Sequence, residues 1–575
     1  MPPLDYGSCT LEDPSKEIRL ISLSPSPTFT SRLECSLFTA PLANPDIPFK
    51  ALSYVWGPDV AAEGMDTIRV TLVNGTNDVS TIPITPSLST ALRNIRPMKG
   101  KLTLWIDQIC IDQSNLSEKG PQVALMGKLY ASASQVLVWL GPPAHGSDEV
   151  MDAWQATGYA ARAWGMEGYY AKEKIGMLHA MMGNEYPRDE KTRALQDIMK
   201  TAAGRFAPLM KEGKVGKWFG REWFTRVWVV QEFCMCADTV KLFVFRETLA
   251  KNHRDRVFAL LGLAVDAEEL SIRPDYAPER TVASILTEAA RAMIENGDAI
   301  AILCYSQFPK LEDIRGLPSW VPDWRSCLQP SFYTITEKVD PHLYAASGDS
   351  AVEVVPSKSA DLLGLQGYFV DTIDQVAEDA WDDMSSGHVR YLRFLNQFDD
   401  LYQASMEKQV AIYGEKTQEG KEQARWRVPI GDVYWTQREG RARATPDVAV
   451  EHGRCVAYLR AFHDLEGLDG SEFRDGYAKF QEINEAGLYG MHYRESMTIM
   501  KGKRPFLTRD GRLGMGPSEA VPGDAVVVFC GGRIPFVVRP KTTEEDVFAF
   551  IGEAYCDGVM DGEVLTGERR VFVLE

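Results

Sequence analysis

Short apolar runs separated by turn residues dominate the first 140 residues of the chain. Residues 18–23 and 49–55 each form such a run and predict strands. Residues 68–73 and 82–84, with Asn74-Gly75 between them, predict a β-hairpin, because Asn-Gly favours a tight turn between paired strands. The chain therefore begins as a sheet.

The next segment has the order strand, loop, helix, strand. A short helix is expected from Pro86, and residues 102–106 form the near-continuous apolar run that is typical of a parallel strand covered on both faces. A polar loop is predicted at 112–120 and a strand at 136–140. The helix between them is predicted from apolar residues at helical spacing: Val123, Met126, Leu129 and Tyr130. This order implies a right-handed crossover and a parallel sheet.

Length and composition divide the chain into three predicted regions. Its 575 residues exceed what one hydrophobic core usually supports. We predict an α/β domain at 18–245 with a helical insertion at about 148–217, a mainly helical region at 246–500, and a β-rich module at 501–575.

The second and third regions have distinct patterns. Apolar helices are predicted at 255–263 and 283–296, and charge-rich amphipathic helix dominates residues 380–500. In the last 75 residues, glycines separate short apolar runs such as Ala525-Val-Val-Val-Phe529. That pattern is typical of a small β-barrel or sandwich.

Charge and cysteine content restrict the expected partners and compartment. The net charge of −18 repels phosphate backbones and anionic lipid, so we expect neither nucleic acid nor a membrane surface as a partner. No apolar stretch approaches the ~20 residues that span a bilayer, and the N-terminus lacks a secretion signal. Ten scattered cysteines favour reduced thiols. A cytoplasmic protein is expected.

Cys234 and Cys236 have the spacing of a possible metal-ligand pair. No second Cys or His pair lies nearby in the sequence, and a four-ligand zinc site needs one. We therefore predict no metal site.

The segment Arg226-Val-Trp-Val-Val-Gln-Glu232 carries the clearest chemistry. If it is helical, Trp228 and Glu232 share one face, because they lie four residues apart. Two predicted strands, within residues 49–57 and 101–107, end in polar or aromatic residues. Glu232 is therefore expected beside a pocket at the ends of these strands.

Three segments closely resemble the signature motifs of the fungal heterokaryon incompatibility (HET) domain family. They are Ala51-Leu-Ser-Tyr-Val-Trp-Gly57, Leu104-Trp-Ile-Asp-Gln-Ile-Cys-Ile-Asp-Gln113 and Arg226-Val-Trp-Val-Val-Gln-Glu232. Arg254-Asp-Arg-Val-Phe-Ala-Leu-Leu-Gly262 and Leu317-Pro-Ser-Trp-Val-Pro-Asp-Trp324 look like segments common in full-length members. The resemblance implies non-self recognition that leads to regulated cell death, a form of fungal innate immunity, with self-association into a homo-oligomer through the HET domain.

The HET domain is in turn similar to TIR domains, which have a flavodoxin-like parallel sheet and include enzymes that cleave NAD. In those enzymes a Trp-Cys-x-x-Glu helix supplies the essential carboxylate. Here Trp228 and Glu232 match that motif, and Val229 stands in place of the Cys. The resemblance implies a TIR-like N-terminal domain that hydrolyses NAD or a related nucleotide as its substrate and needs no cofactor.

Cleaving the bond between ribose and nicotinamide builds a cation on the sugar, which one carboxylate can stabilise or capture. Glu232 is the predicted catalytic residue. Trp228 would stack on a flat or cationic ring, and Arg226 would bind pyrophosphate. The remaining predicted binding residues lie at the two strand ends: Ser53, Tyr54, Trp56, Gly57 and Asp107.

Each assignment has a structural alternative. Glu232 would equally pair with Arg226 or Arg221, the tryptophans would be core residues, and Asp107 would only bind the loop that follows it. The alternative for the whole protein is a non-enzymatic scaffold that self-assembles and recruits other cell-death effectors.

Overall fold

The computed structural model divides the chain into two compact units. Unit 1 comprises Met1–Val240, Glu247–Val265 and Arg273–Ala277, and unit 2 comprises Lys241–Arg246, Asp266–Ile272 and Pro278–Glu575. The residues that the structure describes are 3–43, 48–57, 64–73, 78–169, 174, 177–178, 181–182, 189–228, 250, 252–261, 267–326, 328–329, 331–332, 343–357, 359–381, 388–413, 421–436, 440–465, 476–477, 481, 491–541 and 546–575.

Unit 1 is built on a mixed sheet. Within its described residues, seven strands pair in the order β5-β4-β2-β1-β6-β3-β7. They are β1 (Glu17–Leu23), β2 (Glu34–Pro41), β3 (Lys50–Tyr54), β4 (Asp66–Leu72), β5 (Val79–Ile84), β6 (Leu102–Trp105) and β7 (Gln135–Trp139). The predicted strands at 18–23, 49–55, 102–106 and 136–140 are confirmed as β1, β3, β6 and β7.

The strand directions correct the prediction of a parallel sheet. β3 runs parallel to β6 and to β7, as predicted, but β1 is antiparallel to both β2 and β6. β4 is parallel to β2 and forms the predicted hairpin with β5. Residues 24–33 join β1 to β2, and this connection is shorter than the dozen or more residues that a parallel crossover needs. The chain therefore returns antiparallel. Asn74 and Gly75 of the predicted turn lie outside the described residues.

The helices of unit 1 follow the sheet strands and then form the insertion. They are α1 (Pro86–Ile95), α2 (Asp107–Cys110), α3 (Leu116–Ser132), α4 (Ser147–Trp164), α5 (Glu190–Lys211), α6 (Lys214–Phe219) and α7 (Asp255–Leu261). α1 begins as predicted, with Pro86 in its first turn and the Thr85 hydroxyl accepting a hydrogen bond from the Leu88 amide. α4, α5 and α6 lie within residues 147–219.

Two local predictions for unit 1 are corrected. The stretch 112–120, predicted to be a polar loop, is helical from Leu116. Its polar residue Glu118 does not face solvent, because it is buried and hydrogen-bonded in the core. The helical character expected for residues 226–232 is absent at Arg226. Glu222–Thr225 is a 3₁₀ helix that ends at Arg226, whose backbone is extended with φ −77° and ψ 135°.

A buried ion pair links β1 to the segment that follows β6. Arg19 binds Glu118 through two contacts, Nη1 to Oε1 at 2.6 Å and Nη2 to Oε2 at 2.9 Å. Arg19 also donates to the main-chain oxygens of Cys9 (2.8 Å) and Cys110 (3.1 Å). Glu118 accepts from the Asp112 amide at 2.9 Å. These bonds fix the polypeptide that leaves the carboxyl end of β6.

Unit 2 carries a second sheet. Among its described residues, nine strands form this sheet, and two more, β10 (Val433–Thr436) and β11 (Gly440–Arg443), form a separate hairpin. The nine are β8 (Val354–Val355), β9 (Leu363–Val376), β12 (Lys503–Thr508), β13 (Leu513–Pro517), β14 (Ala525–Phe529), β15 (Phe536–Pro540), β16 (Val547–Glu553), β17 (Tyr555–Cys556) and β18 (Arg569–Leu574).

The long strand β9 closes this sheet into a ring. β14, β15, β16 and β18 pair in sequence, and both β18 and β14 pair with β9. β12 binds the last residues of the same strand. The sheet therefore includes a strand that lies far from the residues 501–575 predicted to be β-rich.

The helices of unit 2 lie mainly between β9 and β12 along the chain. They are α8 (Ala267–Leu270), α9 (Val282–Met293), α10 (Ala299–Cys304), α11 (His388–Tyr413), α12 (Ala424–Arg427), α13 (Val448–His463) and α14 (Met491–Ser496). The helix predicted at 283–296 is confirmed as α9. Across the described residues, none of the helices has both the length and the apolar character that a bilayer crossing requires.

Candidate functional site

The carboxyl ends of β3 and β6 form the base of the candidate site. Because these neighbouring strands are parallel, their carboxyl ends lie at the same edge of the sheet, where open α/β sheets bind ligands. Trp56 follows β3 and Asp107 follows β6. The Trp56 indole N–H donates to Asp107 Oδ2 over 2.7 Å. Two predicted site residues from different motifs therefore meet.

Asp107 is a half-buried acid whose two oxygens are both hydrogen-bonded. Oδ2 accepts from Trp56, and Oδ1 accepts from the Gln108 amide at 2.7 Å. Burial raises the pKa of the Asp107 carboxyl, and the positive charge of Arg226 and the Trp56 hydrogen bond oppose this rise. The carboxylate is thus held in one orientation at the start of α2.

Ser53 and Tyr54 lie beneath this edge, in the core. Each is only 1% exposed. Trp223 donates its indole N–H to Ser53 Oγ at 2.8 Å, and the Tyr54 hydroxyl lies 3.2 Å from Gln108 Oε1. In this conformation the two residues support the site from below and do not present a surface to a ligand.

Gly57 shapes the turn after β3. Its φ of +79° belongs to the left-handed region that favours glycine. Ser87, in the first turn of α1, donates its hydroxyl to the main-chain oxygen of Val55 at 2.5 Å. The helix start therefore fixes the bend that carries Trp56.

Arg226 joins the strand ends to the segment that carries Trp228. Its guanidinium Nη1 donates to the main-chain oxygen of Tyr54. Its charge lowers the pKa of Asp107, against the larger effect of desolvation. The charges of Lys119 and Arg226 do the same at Asp255. Arg226 therefore connects the end of β3 with the segment that carries Trp228, and its charge acts on both acids.

Trp228 is fixed by an acid that the sequence interpretation did not select. Its indole N–H donates to Asp255 Oδ2 at 3.1 Å, and the Tyr276 hydroxyl donates to Asp255 Oδ1 at 2.8 Å. Burial raises the pKa of Asp255. Asp255 opens α7 within the Arg254 to Gly262 segment that resembles full-length HET members, and this was the signal that would have found it.

The predicted catalytic residue, Glu232, lies outside the described residues, as do Val229, Cys234 and Cys236. Arg221, one of its suggested structural partners, donates from Nη1 to the main-chain oxygen of Leu140 at 2.7 Å. The other suggested partner, Arg226, binds the Tyr54 carbonyl.

The site contains the same type of hydrogen bond at two places. A half-buried tryptophan donates its indole N–H to a half-buried carboxylate, Trp56 to Asp107 and Trp228 to Asp255, and the charge of Arg226 acts on both acids. Fixed indole faces suit a flat ring, a guanidinium suits phosphate, and carboxylates accept from hydroxyls. The cluster therefore has the chemistry to recognise a nucleotide.

Comparisons with known proteins match both parts of the chain. The family model described as heterokaryon incompatibility protein (HET) matches residues 49–232, and the Het-6 beta-barrel domain matches residues 360–574. The chain is 32% identical over 685 aligned residues to heterokaryon incompatibility protein 6, OR allele, of Neurospora crassa, covering 99% of this chain and 97% of that protein. No solved structure matches the chain.

Proposed function

The chain belongs to the fungal heterokaryon incompatibility (HET) family, whose role lies in incompatibility and cell death, and we propose that unit 1 serves that role by hydrolysing NAD or a related nucleotide. The resemblance of the HET motifs to those of TIR enzymes suggested this reaction. The observations that support it are the Trp56–Asp107 hydrogen bond at the carboxyl ends of β3 and β6, the Trp228–Asp255 hydrogen bond, and the contact of Arg226 with the main-chain oxygen of Tyr54.

Each part of the cluster has a role in binding. The face of Trp56 or Trp228 stacks on the nicotinamide or adenine ring. Asp107 accepts a hydrogen bond from a ribose hydroxyl, and Arg226 neutralises a phosphate. The hydrogen bond from each indole to its carboxylate holds the ring in place before the ligand arrives, which reduces the ordering cost of binding.

Hydrolysis breaks the N-glycosidic bond between the ribose and the nicotinamide nitrogen. The bonding electron pair leaves with the nitrogen, so cationic nicotinamide departs neutral and needs no general acid. Water supplies the hydroxyl that bonds to the sugar carbon and releases a proton. Glu232 stabilises the oxocarbenium-like sugar with its negative charge. Val229, in place of the Cys of TIR enzymes, has no part in this chemistry.

Nicotinamide release by the purified full-length protein tests the reaction. We expect turnover by the wild type at concentrations where the chain self-associates, and a loss of at least about a hundredfold in Glu232→Ala and Glu232→Gln, because a group that stabilises transition-state charge contributes on that scale. Glu222→Gln is the matched control, since Glu222 is an exposed acid on the preceding 3₁₀ helix.

Two results would decide against the mechanism. Equal turnover in the wild type and both Glu232 variants removes Glu232 from the reaction. No turnover by a self-associated wild-type protein favours the second candidate, a scaffold that recruits other effectors. One observation favours that scaffold: both oxygens of Asp107 already accept hydrogen bonds from Trp56 and Gln108.

A further inference from the structure

Five residues of unit 1 lie between two segments of unit 2 along the chain. Residues 273–277 belong to unit 1, but the chain before them, Asp266–Ile272, and the chain after them, from Pro278, belong to unit 2. We refer to residues 273–277 as the strap. The strap has neither helical nor strand structure, so contacts with α3 and α7 hold it in unit 1.

One part of the strap lies against α3. A Cβ added to Gly120, in the second turn of this helix, would lie 2.5 Å from the main-chain oxygen of Pro274. Only glycine therefore permits the strap backbone to approach the helix this closely. Next to Gly120, the Lys119 ammonium lies 4.8 Å from the centre of the Tyr276 ring, which is a cation–π contact.

The second set of contacts joins the strap to α7. The Tyr276 ring packs edge-on against Phe258, with 5.4 Å between the ring centres, and Tyr276 is only 9% exposed. Arg254, just before α7, donates from Nη1 to the main-chain oxygen of Ala277 at 3.2 Å. Two helices of unit 1 therefore bind the strap.

The Tyr276 hydroxyl connects the strap to Trp228. It donates to Asp255 Oδ1 at 2.8 Å, and Asp255 Oδ2 accepts from the Trp228 indole at 3.1 Å. Burial raises the pKa of Asp255, and the Tyr276 hydrogen bond opposes this rise more than any other contact. Tyr276 thereby favours the charged carboxylate, which binds an indole N–H more strongly than a neutral acid does.

The strap lies outside the part of the chain that matches the HET family model, which ends at residue 232. Trp228 lies inside that part, yet its orientation depends on Asp255 and Tyr276, which do not. An indole that is held in one orientation before a ligand arrives loses less freedom on binding.

We propose that the strap positions Trp228 for the ring of a nucleotide, with Tyr276 as a positioning residue, and that the site of unit 1 is complete only while the strap is docked. The inference rests on the proposed function in one respect, which is that Trp228 contacts the nucleotide ring.

Fluorine NMR tests the positioning without any ligand. The full-length protein is labelled with 5-fluorotryptophan, and Trp228→Phe identifies the Trp228 signal by its loss. Tyr276→Phe keeps the ring beside Phe258 and Lys119 and removes only the hydroxyl. We expect the Trp228 signal to move from its wild-type position, because Asp255 no longer holds the indole in one orientation. Tyr159→Phe is the matched control, since Tyr159 is 66% exposed on α4, and should leave the signal in place.

Gly120→Ala tests the strap from its contact with α3. The added Cβ displaces the Pro274 oxygen, so the Trp228 signal should move as it does in Tyr276→Phe. Gly158→Ala is the matched control, because Gly158 is also a helical glycine but its added Cβ meets nothing within 4 Å. An unchanged Trp228 signal in either strap variant overturns the proposal.

Nicotinamide release then connects the strap to the site. We expect Tyr276→Phe to raise the KM for NAD about tenfold, the scale of one hydrogen bond to a charged group, and to leave kcat within about twofold. A ring contact that is equally strong in the bound substrate and in the transition state affects binding alone, whereas a merely structural loss lowers the amount of active protein and leaves KM unchanged.

The two proposals can fail separately. A moved Trp228 signal with an unchanged KM overturns the proposal, since the strap then does not serve the site. If the wild type releases no nicotinamide, the proposed reaction fails, and calorimetric titration with NAD decides about the strap. About tenfold weaker binding of NAD by Tyr276→Phe supports the strap, and equal or absent binding by the two proteins overturns it.

Discussion

The buried pair of Arg19 and Glu118 makes a strong prediction about unit 1. Its side chains are only 1% and 6% exposed, and two short contacts join them. Arg19→Met removes the guanidinium and keeps most of the apolar volume. The Glu118 carboxylate then remains buried without its counter-ion. We expect unit 1 to lose about 3–5 kcal/mol of unfolding free energy, the usual cost of breaking a buried pair from one side.

The double variant Arg19→Met/Glu118→Leu should be more stable than the single one, because it leaves no isolated charge in the core. Recovery will be incomplete. The main-chain oxygens of Cys9 and Cys110 lose donors, and the Asp112 amide loses its acceptor. Each such group left without a partner costs about 1–3 kcal/mol, reduced where water reaches it. The charge and hydrogen-bond contributions can therefore be separated.

Hydrogen exchange of the full-length protein measures the effect where it arises. A protein with two units does not unfold in one transition, so a single melting temperature would mix them. Exchange of peptides from β1 and β6, followed as urea increases, reports the local opening free energy. Lys16→Met is the control, because its pair with Asp13 has side chains 78% and 42% exposed and should leave exchange unchanged.

Two results would refute this reasoning. If Arg19→Met exchanges like the control, the pair does not stabilise the sheet. If the double variant opens as easily as the single one, the isolated charge is not the cause of the loss. Either result would also weaken the view that this pair holds Asp107 in place through Cys110 and Asp112.

Two further predictions concern unit 2. Gly511→Ala should cost about 1–3 kcal/mol, because Gly511 has a φ of +83° and a Cβ there would lie 2.8 Å from Gln409 Cγ. Gly502→Ala, with a φ of +74° and nothing within 4 Å of the added Cβ, should cost less. Hydrogen exchange of peptides from β12 and β13, followed as urea increases, measures both losses. Burial raises the pKa of Asp432 to about 6, so its proton stabilises the fold at low pH, and this contribution of about 2–3 kcal/mol is lost as the pH rises from about 4 to about 6. Asp432→Asn should flatten the pH dependence of unfolding in that window, and an unchanged profile would contradict the assignment.

Local patterns were sufficient to predict most individual elements of unit 1. Alternating or continuous apolar runs predicted β1, β3, β6 and β7, because a strand that is buried on one or both faces needs apolar residues at those positions. The apolar pattern of β1 does not show whether the strand pairs in a parallel or an antiparallel direction. Its antiparallel pairing depends on the length of the connection to β2 and on which strand lies beside it in space. The TIR-like identity of the sheet stays a prediction.

The sequence predicted the site residues that follow the strands. It did not predict the contacts between residues that lie far apart in the sequence. Trp56 and Asp107 meet because both follow neighbouring parallel strands. Ser53 and Tyr54 were chosen by the same logic but are buried, since β3 is covered on both faces. Asp255 was missed although its segment resembles full-length HET members, because its partners Trp228 and Tyr276 lie far from it in the sequence.

The position of β9 along the chain affects how the protein is made. This strand is synthesised long before β14 and β18, and those two strands supply its neighbours in the ring. Until residue 574 has left the ribosome, one edge of β9 is exposed. Pairing β9 with β18 closes a long loop of chain, which is slow. A premature stop codon before Arg569 should therefore yield a product with an open sheet edge, which cellular quality control would recognise.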